Sequence, residues 1–250
     1  LLAQTSLTNI TLLFKDNQIR LFLIILIIAI GLIYYLARSY VDGSTFDQLT
    51  TISFNTISII SGTGYVSNNF ETWGNYASVL FLMLMFIGGC AGSTTGGLKI
   101  FRFQILFKYI ELHLKKMLEP HAVLTARFNG KKVQESTYES VMIFFFIYIM
   151  TFASSALLLS FSGLDFLTCI SAAASAISNV GPGLGEIIGP EGNYSSLTNY
   201  SKLVLTITMF LGRLEPSKRR QRCWPRCIGE AISLDGSLWL SCECWWVVCG

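Results

Sequence analysis

Residues 21–36 read LFLIILIIAIGLIYYL, a run without a single charge and apolar on every face of the helix it would form. Few folds are open to such a segment. A surface helix of a soluble protein shows one apolar stripe and one polar face, so a helix that is apolar all round belongs in a large core or in lipid. Further apolar runs follow at 76–87, 141–161 and 202–212, and only 13% of the chain is charged, about half the usual share of a soluble domain. This places the chain in the membrane class. At about 1.5 Å per residue, the run 21–36 spans roughly 25 Å, close to a hydrocarbon core of about 30 Å. Arg20 and Arg38 bracket it, and Tyr34 and Tyr35 suit an interfacial position.

Two polar, glycine-bearing loops sit uneasily in this setting. The first is Ser61-Gly62-Thr63-Gly64-Tyr65, the second Ser178-Asn179-Val180-Gly181-Pro182-Gly183. A half-length segment precedes each. The one before the first loop opens at Ser44 or Thr45 as N-cap, with Asp47 in its first turn. The one before the second, 165–178, is rich in Ala and Ser. Polar backbone at membrane depth is tolerated only where protein or water surrounds it. The reading that follows is a pair of re-entrant pore loops of a cation pathway, whose carbonyls replace the ion's hydration shell. Glycine serves because successive carbonyls cannot all face one way without left-handed φ values. The C-terminal end of each half helix adds partial negative charge towards the ion.

A third interruption, GGCAGSTTGG at 88–97, carries five glycines in ten residues: Gly88, Gly89, Gly92, Gly96 and Gly97, with Ser93 and Thr94 between them. Inside a membrane segment this implies an unwound or hinged section. The phosphate-loop pattern GxxxxGK[ST] is not met, because Leu98 follows Gly97 and Lys99 has no Ser or Thr after it. Residues 99–132 are basic, with Glu111 and Glu119 as their only acids, whereas 41–74 and 162–201 hold no Lys or Arg and carry Asp42, Asp47, Glu71, Asp165, Glu186 and Glu191. The positive-inside rule puts the basic stretch in the cytoplasm and the acidic face outside, where it concentrates cations; Arg38 runs against the rule. Within the basic stretch, 122–128, Asn129-Gly130 and 131–133 read as a small β-hairpin. His113 and His121 read as surface residues, with no cluster at metal-ligand spacing, so no structural metal and no cofactor is expected.

The order long helix, half helix, polar loop, helix thus occurs twice. The fold class expected is an all-α polytopic membrane protein: two helix–pore loop–helix repeats of a four-repeat potassium-channel-like pore. The chain divides into a remnant of a preceding element (1–18), one repeat at 19–117 (helix 19–38, pore helix 44–60, filter 61–65, broken helix 76–117), a cytoplasmic connector at 118–140, a second repeat at 141–215 (helix 141–161, pore helix 165–178, filter 178–183, a truncated helix 200–215) and an atypical tail at 216–250.

Three pieces carry a family resemblance: FNTISIISGTGYVSNNF at 54–70, IGGCAGSTTGGLKIFR at 87–102 and SNVGPGLG at 178–185, with LGRLE at 211–215 behind them. Together they resemble the C-terminal half of the Trk/Ktr/HKT superfamily of potassium transporters, closest to the bacterial Trk-system membrane subunit. The resemblance covers about 19 to 215. It implies a third and a fourth pore repeat, with Gly62, Thr63, Gly64 and Tyr65 as one filter segment and Asn179, Val180 and Gly181 as the other, K⁺ as the transported ion, and a gate at the glycine-rich break. Arg213 matches a family arginine that projects into the pore. From cost alone an Arg inside an apolar segment is a functional candidate, although snorkelling to the interface beside Glu215 is the blander reading. The resemblance further implies the bacterial inner membrane, a cytoplasmic regulatory subunit with nucleotide-binding domains docking at 99–132, and a homodimer; no nucleic-acid partner is expected.

After Glu215 the family pattern stops. Pro216 and a basic run follow, and five of the seven cysteines and four of the five tryptophans lie beyond. A shifted reading frame is the expectation for 216–250, and an absent N-terminal half for the chain as a whole, since two repeats cannot enclose a pore that takes four. The CxxxC and CxC spacings there lack a four-ligand zinc pattern, and Cys90 and Cys169 read as packing residues. Rival functions are a secondary transporter of another solute, a polytopic membrane enzyme, for which paired carboxylates or a His cluster are lacking, and a non-functional or split-gene fragment.

Overall fold

The computed structural model describes residues 16–118, 127–128, 131–132 and 135–214. Seven helices are found among them: α1 (Asn17–Ala37), α2 (Thr45–Ile60), α3 (Asn75–Phe86), α4 (Ile100–Leu118), α5 (Glu135–Ser160), α6 (Phe166–Ser178) and α7 (Asn199–Arg213), with 3-10 turns at Phe70–Trp73 and Tyr194–Ser196. Between α4 and α5, strand β1 (Arg127–Phe128) pairs antiparallel with β2 (Lys131–Lys132), Phe128 opposite Lys131. The connecting Asn129-Gly130, His121, the 1–15 stretch and the 216–250 tail lie outside the described residues.

Local chemistry sets the helix starts. The Asp16 carboxylate accepts from Gln18 N–H at 3.0 Å and opens α1. Ser44 and Asp47 form a reciprocal capping box at α2, and Asp165 caps α6 through Leu167 N–H. Helix α5 begins at Glu135, six residues before its apolar run. The polar ESTYES segment precedes the apolar run on the same helix, so α5 starts within the 118–140 stretch read as a connector.

Helices α1 and α5 are long and apolar enough to cross a membrane, and only 11% and 17% of their apolar windows are buried within the protein. A core helix of a soluble protein would show the opposite. Their outward faces present Ile27, Ile28, Ile143 and Phe146, a surface suited to lipid. The shorter helices α2 and α6 turn inward instead. Ile52, Ile59 and Ile60 of α2 pack with Ile33 and Ala37 of α1, with Phe70 and Trp73 of the first 3-10 turn, and with Phe81 of α3. The Phe70 and Phe81 rings lie 4.3 Å apart. This cluster runs on into Ala174, Val180 and Leu184, so the two halves share one core.

Helix α6 is buried along nearly its whole length, packed against α5, α7 and α3. Ala172, Ala173 and Ala174 are fully covered, and their small side chains let three helices approach closely. At Gly212 the α7 backbone meets that of α6: a Cβ there would overlap the Ile177 carbonyl oxygen.

Helix α4 leaves this core with a different character. Lys108 and Lys115 pair with Glu111 at 3.1 and 2.7 Å on its exposed side, and these lysines hold the Glu111 carboxyl below the usual carboxylate range. Its root is fixed by Arg102, a buried residue whose guanidinium lies 3.8 Å from the centre of the Phe144 ring of α5.

Candidate functional site

Both glycine loops are built by one hydrogen-bond scheme. In the first, Gly62 N–H donates to Ile59 O (3.1 Å), Thr63 N–H to Ser58 O (3.0 Å) and Gly64 N–H again to Ser58 O (3.3 Å). In the second, Asn179 N–H donates to Ala176 O (3.2 Å) and Val180 N–H to Ser175 O (3.1 Å), while Gly181 N–H reaches the Ser175 hydroxyl at 3.1 Å. Position by position, Ser58 answers to Ser175, Gly62 to Asn179 and Gly64 to Gly181. The dihedrals follow the same correspondence. Gly62 and Asn179 are left-handed, with φ of 66° and 54°, and Gly64 and Gly181 also have positive φ, 75° and 119°. Asparagine is among the few side chains that accept the left-handed region.

The scheme consumes the amides of both loops and spares the carbonyls of the first. Each N–H folds back onto the end of its half helix, and among the described residues no donor reaches the oxygens of Gly62, Thr63, Gly64 or Tyr65. The loops also touch. A Cβ at Gly64 would overlap the Val180 carbonyl oxygen, one at Gly181 would lie 3.8 Å from the Gly64 Cα, and one at Gly62 would lie 3.9 Å from the Asn179 oxygen. Two backbone walls therefore stand side by side in register, each at the electronegative end of a helix. The Asn179 side chain takes no part in the wall, since its Nδ2 donates to Met209 O of α7 at 3.3 Å.

The glycine-rich break packs against the base of both walls. Helix α3 ends at Phe86, and the chain returns so that Ile87 bridges Leu98 in parallel, with Gly88 N–H on Leu98 O and Leu98 N–H on Phe86 O. Between these points the loop is braced internally: Gly89 N–H donates to Thr95 Oγ1 at 2.9 Å, and the Ser93 and Thr95 hydroxyls are 2.6 Å apart. A Cβ at Gly96 would overlap the Ser178 carbonyl oxygen, and Thr95 Cγ2 lies 3.9 Å from the Cβ position of Gly62. Gly97, at φ 74°, would crowd Phe86 O, whereas Gly92 at the tip (φ 89°) faces open space. Two cationic side chains hold neighbouring carbonyls of this loop. The buried Lys99 donates to Ser93 O at 3.0 Å, and Arg213 Nη1 donates to Thr94 O at 3.0 Å. Arg213 thus reaches the loop; Glu215, its alternative neighbour, lies outside the described residues.

Two of the acids expected on the outer side have defined partners. The hydroxyl and then the N–H of Ser44 hold Asp47 below the ordinary carboxylate range, so it stays ionised at neutral pH. Glu71 does something the sequence did not suggest. From the Phe70–Trp73 turn of the first half it accepts a hydrogen bond from Gly185 N–H in the second, and a Cβ at Gly189 would come within 2.8 Å of its Oε2. Glu71→Ala should cost about 1 kcal/mol of local stability, read as a roughly five-fold faster amide exchange confined to the Gly185 region. Unchanged exchange there would show that the contact holds nothing.

Ser58 and Ser175 were likewise not singled out from sequence. The signal was present, because Ser58-Ile59-Ile60-Ser61 and Ser175-Ala176-Ile177-Ser178 share the spacing S-x-I-S, with a glycine three residues on.

With this geometry in hand, the comparisons are specific. A family model described as TrkH, cation transport protein, matches residues 7–219. The Trk system potassium uptake protein TrkI of Halomonas elongata is 40% identical over 204 residues, which cover 81% of this chain and 41% of that protein. TrkH of Vibrio parahaemolyticus is 34% identical over 202 residues, with 80% and 41% covered. The chain thus spans about two fifths of the length of the curated relatives it matches. The crystal structure of the potassium transporter TrkH from Vibrio parahaemolyticus superposes with a TM-score of 0.73 at 33% identity, covering 80% of this chain and 42% of that one.

Proposed function

The chain belongs to the TrkH family of cation transport proteins, and from that membership we propose that it forms the third and fourth pore repeats of a potassium uptake pathway in the bacterial inner membrane. One observation carries the proposal: the loops at 61–65 and 178–183 stand in register with their amides tied back and the first loop's carbonyls free of donors. K⁺ sheds water against the oxygens of Gly62, Thr63, Gly64 and Tyr65 on one side and of Asn179 and Val180 on the other. Gly181 contributes its backbone conformation, with its N–H on Ser175. The acidic outer side raises the local cation concentration. Below the walls, the loop of Gly88, Gly89, Gly92, Ser93, Thr94, Gly96 and Gly97, pinned by Arg213, is the gate. A cytoplasmic regulatory subunit reaching the basic 99–132 side and a homodimer complete the proposed assembly. They rest on the family resemblance and on the charge of that stretch.

Among the rivals, a membrane enzyme falls away with the family, which is one of transport proteins. A secondary transporter of an organic solute would need polar side chains converging between the loops, whereas the polarity here is backbone.

The test is a chimera in which residues 16–214 replace the matching segment of the Halomonas elongata relative, expressed in a bacterium lacking its own potassium uptake systems. Growth on low potassium and saturable Rb⁺ uptake are expected. A chimera that reaches the membrane at normal abundance and carries no Rb⁺ refutes the proposal.

A further inference from the structure

The hydrogen-bond schemes of the two loops differ at the second glycine: Gly64 N–H donates to the Ser58 carbonyl where Gly181 N–H donates to the Ser175 hydroxyl, and the two glycine carbonyls differ as well. The Gly64 carbonyl meets no donor among the described residues, whereas its counterpart, the Gly181 carbonyl, accepts a hydrogen bond from the Tyr194 hydroxyl at 2.8 Å. Tyr194 belongs to no motif that marks the pore. It lies in the outer segment between the second loop and α7, where sequence offers only a polar stretch.

Its position is fixed from several directions. The ring packs against the buried cluster that includes Leu159, Cys169, Ala172 and Ile188. The Tyr194–Ser196 turn is capped by Asn193, whose carboxamide oxygen accepts from Ser195 N–H at 3.0 Å. Lys202, in the first turn of α7, donates to Ser195 O at 2.7 Å, and Leu197 N–H closes the turn on Tyr194 O. The hydroxyl therefore reaches the second loop on a held backbone, beside the buried Ser175 whose own hydroxyl accepts from Gly181 N–H. Both polar groups of Gly181 are thus tied to the scaffold, one to each hydroxyl.

We infer that Tyr194 is a positioning residue that sets ion discrimination, by turning the Gly181 carbonyl away from the cation pathway and so making the two repeats unequal in the oxygens they offer. The inference rests on the proposed pathway. Its chemistry is that of a carbonyl shared between a donor and an ion. An oxygen already accepting a hydrogen bond is a poorer, less mobile cation ligand, and Gly181, at φ 119°, has the freedom to rotate once released. A freed carbonyl adds a flexible ligand at one level of the filter, and a flexible ligand adapts to the smaller Na⁺ as readily as to K⁺.

Tyr194→Phe removes one oxygen atom and leaves the packed ring in place. In the chimera it is expected to lower the Rb⁺/Na⁺ uptake ratio several-fold, with membrane abundance and thermal unfolding unchanged. Tyr194→Ala, which also removes the packing, should lose abundance as well. A purely structural role would move abundance and leave the ratio alone. If Tyr194→Phe keeps the parent's Rb⁺/Na⁺ ratio, the inference fails even where Tyr194→Ala is impaired. If the parent chimera itself transports no Rb⁺, it is the pathway that fails, so the two refutations are distinct.

Discussion

Gly64→Ala should abolish selective Rb⁺ uptake, while Gly62→Asn, two residues away, should leave most of it intact. Two independent costs fall on Gly64. Its φ of 75° lies in the left-handed region, where a Cβ costs roughly 1–2 kcal/mol. The added Cβ would also overlap the Val180 carbonyl oxygen, and the Pro182 ring lies 3.4 Å from the same position. The neighbour here is backbone, so one wall must move, and carbonyls that replace a hydration shell cannot move without changing which ion they fit. Gly62 shares the positive φ but has nothing closer than 3.9 Å to its Cβ position, and its counterpart in the second loop is already an asparagine, Asn179, at φ 54°. The pair of variants separates backbone strain from steric contact between repeats. Rb⁺ uptake with competing Na⁺ reads both. Equal loss in the two variants would show that left-handed φ alone matters and that contact between the loops does not.

Arg213→Ala should raise Rb⁺ flux several-fold while leaving the Rb⁺/Na⁺ ratio where it was. Among the described residues, Arg213 hydrogen-bonds the glycine-rich break and neither glycine wall. It holds Thr94 O at 3.0 Å, next to the Ser93 carbonyl held by Lys99, so its loss frees the break at 88–97 without disturbing the amides that shape the filter. The loop is already suited to move, with Gly92 at φ 89° facing open space. Arg213→Lys should fall between, because a single ammonium can reach the carbonyl but lacks the planar fork of the guanidinium. Flux that stays level or falls in Arg213→Ala, at equal abundance, would contradict the gate assignment.

Much of this site was legible before any coordinates. Long apolar runs, half-length segments ending in glycine loops and a break with repeated glycines each have a physical signature one segment long. What escaped sequence was the chemistry between segments. Glu71 reads as one of six outer acids, and nothing in its neighbours reveals that Gly185 N–H, far along the chain, points at it. Arg213 acquires its partner only when the second half folds against the first, and Tyr194 meets Gly181 only when the outer segment folds back onto the second loop. Helix α5 shows a different limit: hydropathy reports the apolar stretch, whereas the helix itself starts at Glu135, six residues before it. The shared S-x-I-S spacing before each loop is the one signal that sequence did contain and that the apolar pattern concealed.

The central claim, that the two loops form adjacent walls of a carbonyl-lined ion filter, is tested most directly by anomalous diffraction from crystals of the chimera grown in thallium(I), a heavy substitute for K⁺. The account predicts a thallium peak between the loops, coordinated by the oxygens of Gly62, Thr63, Asn179 and Val180, which disappears in Gly64→Ala. Thallium bound only elsewhere in the protein, with those four oxygens turned away from one another, would contradict it.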